Sequence, residues 1–167
     1  MYRTIEDFTN DWAHESESTL RLFANLTDES LGRRVAPDGR TLGFIAWHIT
    51  ICLGMAAEAG LPYGIPVDPG SNPPARAAAI REAYEKGSAD LVASLRAHWK
   101  DANLLETVQM YGMNWTRGYA LLAMTKHQAH HRGQMTVLMR QAGLAVPGVY
   151  GPSREEWTAY GMPPPAV

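Results

Sequence analysis

The chain has 167 residues, 46% of them apolar and 19% charged, which describes a globular core rather than a disordered segment. The formal net charge is −2 and no block of Lys and Arg stands out, so nucleic acid is excluded as an expected partner. The single cysteine, Cys52, precludes an intramolecular disulfide, and the acidic, polar start "MYRTIEDF" does not read as a signal peptide. A soluble, cytoplasmic protein is the expectation.

The first helical segment runs from about Thr4 to Asn25. Ile5, Phe8, Trp12, Thr19, Leu20, Phe23 and Leu26 recur near helical spacing, and Thr4 with Asp7 resembles a capping box. "APDG", 36–39, is a turn signal. The second helix is expected from Leu42 to Ala59, stopped by Gly60. Its stretch 41–57 carries no formal charge but contains Thr41, His48 and Thr50 and is short for a bilayer, so it suits the inside of a bundle.

Residues 60–74, "GLPYGIPVDPGSNPP", are too rich in Pro and Gly for regular structure and read as a long connection. The third helix is expected from Pro74 to Lys100 with Asn72 as N-cap. Ile80, Tyr84, Leu91, Leu95 and Trp99 would face the core. After a connection over 101–113, a fourth helix runs from Trp115 to Ala142, capped by Asn114 and ended by Gly143. A short fifth helix follows in "PSREEW", where Ser153 and Glu156 form a capping-box pattern. No alternating strand run and no Asn-Gly or Asp-Gly hairpin signal competes. The reading is all-α: one four-helix-bundle domain over 1–161 with a short extra C-terminal helix, then a flexible tail over 162–167.

Three of the six histidines fall within "KHQAHHRGQM", 126–135. His127 and His131 are four apart, one turn apart on one helix face, the spacing with which two imidazoles share a metal. The sequence is His-Gln-Ala-His-His, and Gln128 cannot serve as the general base of a His-Glu-x-x-His peptidase. The same face carries Met124, Met135 and Leu138, so the two rings point inward, where unpartnered imidazoles cost stability. His48, in the middle of the uncharged second helix, is the third ligand of choice, since facing helices of a bundle build metal sites in the core. A three-histidine site keeps an open position, as catalytic zinc sites do.

His130 lies about 100° round the helix from His131 and is assigned a surface or supporting role. Cys52, one turn beyond His48, is a fourth ligand, a pocket thiol or a small buried hydrophobe. Arg132 either recognises a carboxylate or ties down the C-terminal segment through Glu155 or Glu156. Gly133 is read as a point of close helix packing, Gln134 as a hydrogen-bonding group for backbone or ligand, and Tyr63, Tyr111 and Tyr150 as loop residues able to rim a pocket.

The segment "HQAHHRGQMTVLMRQAGLAVPGVYGPSREEW", 127–157, with its His-x-x-x-His-Arg-Gly-Gln core, resembles the C-terminal signature of the DinB-like (DinB/YfiT) superfamily. "APDGRTLGFIAWHI", 36–49, is similar to the family's second-helix entry. The resemblance implies a bundle of up-down-down-up character, a homodimer, and a divalent zinc or nickel ion held by His48, His127 and His131. It also implies a metal-dependent enzyme that transfers a low-molecular-weight thiol to a small-molecule electrophile. The alternative is a non-enzymatic metal- or ligand-binding stress-response protein. Hydrolysis is a weaker form of the enzymatic reading, because no acidic residue is visibly placed as a base.

Overall fold

The structure is a computed structural model that describes residues 1–65 and 67–166. Pro66, inside the expected 60–74 connection, and Val167, at the end of the expected tail, lie outside the described residues. Helix α1 spans Ile5–Phe23, α2 Leu42–Ile51, α3 Met55–Glu58, α4 Ala77–His98 and α5 Arg117–Gln141. Strands β1, Thr107–Met110, and β2, Met113–Thr116, form a small antiparallel hairpin ahead of α5. The fold is therefore mostly α with one two-stranded addition.

The helix starts follow local chemistry where a side chain can reach. Thr4 Oγ1 accepts from Asp7 N at 2.9 Å and the Asp7 carboxylate accepts from Thr4 N at 3.1 Å, so the expected capping box forms. The expected second helix is present as α2 and α3 joined by a 3₁₀ turn over Cys52–Gly54, and it stops at Gly60, whose φ of 87° favours glycine.

Helix α4 begins later than expected. Asn72 does not cap it; Ala77 N donates to Asp28 Oδ1 at 2.7 Å, a cap supplied from 49 residues upstream. The Pro73-Pro74 pair holds the preceding chain extended, which removes the early start.

The hairpin is the element the sequence reading missed. Tyr111 and Gly112 both have positive φ, 52° and 75°, as a two-residue primed turn requires, but tyrosine is not one of its usual residues. Asn114 consequently lies in β2 opposite Gln109, and α5 is capped by Thr116, whose Oγ1 accepts from Tyr119 N at 3.2 Å. The C-terminal helix is a 3₁₀ segment over Arg154–Tyr160, with the Glu156 carboxylate accepting from Ser153 N at 2.8 Å.

In the bundle, α1 and α2 each pack against both α4 and α5. Phe8, Trp12 and Leu22 of α1, Ile80, Tyr84, Leu91 and Leu95 of α4, and Leu121, Met124 and Met135 of α5 are all buried. Two polar residues of α5 tie the layers together. Gln128 is fully buried; its Oε1 accepts from Tyr84 Oη on α4 at 2.8 Å and its Nε2 donates to Ile49 O on α2 at 3.5 Å.

Arg132 is 1% exposed and turns toward α1. Its Nη1 donates to Glu15 O at 2.9 Å and to Thr19 Oγ1 at 3.0 Å, and its Nη2 pairs with the Glu15 carboxylate. Tyr150 Oη donates to the same carboxylate at 2.8 Å. Arg132 thus holds the C-terminal segment, but through Glu15 and Tyr150. Glu155 pairs instead with Arg140, and Glu156 serves Ser153 and Gly148. Gly133 is no close-packing point, since a Cβ there would meet open space.

Breaking the Arg132 pair strands a buried charge. Glu15→Ala is expected to lower the unfolding free energy by about 3–5 kcal/mol, measured by urea denaturation. A Glu15→Leu/Arg132→Met double variant is expected to recover most of that loss, because no charge is then left buried.

Candidate metal centre

The site forms where α2 faces α5. His48 projects from the middle of α2, and His127 and His131 project from successive turns of α5. His127 Nε2 lies 3.1 Å from His48 Nε2 and 3.1 Å from His131 Nε2. The three ligand nitrogens lie within 4.8 Å of one another, the arrangement of a group able to hold a metal ion. Four ligands arranged tetrahedrally at a zinc–nitrogen distance of about 2.0–2.1 Å have nitrogens roughly 3.3–3.4 Å apart, so the two short separations fit one ion. The donor chemistry fits as well. Neutral imidazoles are general ligands for divalent transition metals, and here three of them bring a ring nitrogen to one place.

Burial keeps these rings neutral. It is the main reason the His48 pKa falls to about 4, with the neighbouring His131, His127 and Arg40 adding to the effect. The same desolvation lowers His127 and His131. His131 is the most enclosed of the three, at 3% exposure, and its Nδ1 lies 2.8 Å from Gln134 Oε1. Gln134 Nε2 in turn lies 3.0 Å from His130 Nε2. That chain sets the amide with its oxygen toward His131: Nδ1–H donates to Gln134 Oε1, and Nε2 keeps its lone pair for the shared point. Gln134 is therefore a positioning group for His131, and His130 supports the amide from outside the triad.

His48 and His127 open onto a cavity of about 530 Å³, while His131 lies buried behind them. One face of the second helical segment supplies Ile51, Cys52, Met55 and Glu58 in steps of three and four from His48; α5 supplies Ala123, one turn before His127. The hairpin supplies Tyr111 and Trp115. Cys52 Sγ is 3.4 Å from His48 Nε2, and burial pushes its thiol up to about 12, so it stands beside the triad as a protonated thiol. Burial, followed by the neighbouring Glu58 carboxylate, raises the Tyr111 hydroxyl to about 12.

Of the three tyrosines expected at a rim, only Tyr111 lines this cavity. Tyr63 Oη donates to Gly87 O at 2.9 Å, and Tyr150 belongs to the Arg132 cluster. Glu58 was overlooked, although its helical spacing from His48 carried the signal. Trp115 had no such signal, because its place depends on the hairpin.

Gln134→Ala is expected to weaken metal binding by about 10–100-fold while the protein stays folded, as measured by competition with a chromophoric chelator.

Comparisons with known proteins place the family and the fold. The sequence model of the DinB family matches residues 1–165. An uncharacterised protein, YrdA of Bacillus subtilis (strain 168), is 39% identical over 169 residues, covering 100% of both chains. The crystal structure of a DinB-like protein from Bacillus cereus ATCC 10987 superposes with a TM-score of 0.85 at 41% identity, over 90% of this chain and 100% of that one. A second DinB-like protein, YjoA of Bacillus subtilis, shares the fold with a TM-score of 0.68 at 17% identity, over 86% of this chain and 96% of that one. With its sequence matched almost end to end and its bundle shared with these structures, the chain belongs to the DinB family.

Proposed function

We propose that this protein is a metal-dependent enzyme that transfers a low-molecular-weight thiol to an electrophilic small molecule. The observation that carries the reading is the convergence of His48, His127 and His131 on one point at the wall of a largely apolar cavity. In this reading the three histidines would hold a divalent zinc or nickel ion beside the cavity. A divalent cation there lowers the pKa of a thiol or water bound beside it.

The chain's own residues do the rest. Gln134 holds His131 in one ring orientation and tautomer. Ile51 and Met55 exclude water and bind the apolar part of the electrophile. The thiol gives its proton to solvent and its sulfur bonds to the electrophilic carbon; the electron pair of the broken bond leaves with the displaced group, or, in an addition, the adjoining atom takes a proton from solvent. Cys52 is not required for this chemistry.

A second reading, a non-catalytic metal- or ligand-binding protein, draws on Cys52. Its sulfur lies 3.4 Å from His48 Nε2, and in this reading it would serve as a further ligand. Cys52→Ala separates the two readings, since it preserves turnover in the first and weakens metal retention in the second.

The test is elemental analysis of the chelator-free protein beside His48→Ala, His127→Ala and His131→Ala, together with thiol consumption against a panel of electrophiles. About one metal per chain is expected, with metal content and thiol consumption both falling to background in each folded variant. Full thiol turnover in folded, metal-free variants would overturn the mechanism.

A further inference from the structure

Among the described residues, one acidic side chain and no Lys or Arg line the cavity beside His48 and His127. That acid is Glu58, and among the described residues no Lys or Arg lies within ion-pair distance of its carboxylate. Tyr111 neighbours it and packs on Trp115, with ring centroids 5.6 Å apart and planes tilted at 60°, and both rings line the same cavity. Outside the cavity, Arg40 lies with its guanidinium 5.1 Å from the centroid of the Phe44 ring, and that ring stacks on His48. Arg40 borders a separate groove with Gln134 and Leu138, further along α5 than the cavity.

This lining selects an orientation. A carboxylate with two adjoining aromatic rings is the chemistry that recognises organic cations: the carboxylate supplies the counter-charge, and the rings supply cation–π attraction and apolar surface. An anionic ligand would meet Glu58, and the reverse orientation of a cation would leave its charge against the apolar wall with no counter-charge. The wall between Glu58 and the histidines is apolar, formed by Ile51 and Met55.

We propose that this cavity takes an organic cation, an amine- or ammonium-bearing molecule with an aromatic or aliphatic body. Its positive group sits at Glu58 beside the Tyr111–Trp115 pair, and its uncharged end reaches His48 and His127. This rests on reading the histidines as the reactive end of the cavity, and it makes Glu58 a specificity determinant for the electrophile rather than a base.

The test uses the full-length, metal-loaded protein and phenyltrimethylammonium, a cation that cannot ligate a metal, against its neutral isostere tert-butylbenzene in ligand-observed NMR titrations. The cation is expected to bind about tenfold more tightly, and Glu58→Gln is expected to abolish that preference while metal content stays at the parent level. Trp115→Leu is expected to weaken the cation more than the isostere. Equal binding of the two probes, or a preference that survives Glu58→Gln, would overturn the proposal. Cation preference in a protein that retains no metal supports this proposal and counts against the metal reading alone. Bound metal without cation preference does the reverse.

Discussion

Arg132 sits at 1% exposure on a helix that also carries a metal-binding pattern, and its guanidinium fixes where that pattern points. Held by Glu15, Thr19 and the Tyr150 hydroxyl network, it locks the register of α5 against α1 and the C-terminal segment. A buried ion pair of this kind contributes little net stability relative to an apolar replacement, because desolvation offsets most of the attraction. Its consequence here is geometric. His131 is the preceding residue, about 100° round the helix, so pinning Arg132 toward α1 turns His131 and His127 toward α2. Gln128 acts the same way one turn earlier, binding Tyr84 of α4 and the Ile49 carbonyl of α2, one residue beyond His48.

The histidine cluster shows what that rigidity permits. Three imidazoles stay neutral in a partly buried setting, and each neutral ring can offer a lone pair without first losing a proton. Gln134 then sets the His131 tautomer from outside the cluster. The cavity lining comes from different elements: Glu58 from α3, Tyr111 from the hairpin turn and Trp115 from β2. Among the described residues no helix is long and apolar enough to cross a membrane; the uncharged α2 is instead enclosed by α4 and α5.

Much of this architecture is written in local pattern. The apolar spacing of α1 and α4 marked the buried faces, and Trp99 at the end of α4 is buried as its spacing implied. Thr4, Gly60 and Gly143 marked helix ends through chemistry confined to a few neighbouring residues. The i, i+4 pair His127 and His131 needed only helical periodicity to be placed on one face, and His48 needed only an inward-facing position on an uncharged helix.

Other features depend on contacts between distant segments. The start of α4 is set by Asp28, 49 residues away, and the partner of Arg132 is Glu15, 117 residues away, so neighbouring Glu155 and Glu156 were plausible from sequence and incorrect. The hairpin places Tyr111 in a backbone conformation that tyrosine rarely adopts, which propensity cannot foresee. Gly133 faces open space although a glycine inside a helix suggested contact. The sequence by itself determined which residues share a helix face, because helical periodicity is a property of adjacent residues. Only the tertiary structure decided which faces meet, which charges pair, and that Glu58, Tyr111 and Trp115 converge beside the histidines, because those outcomes minimise the free energy of segments far apart in the chain.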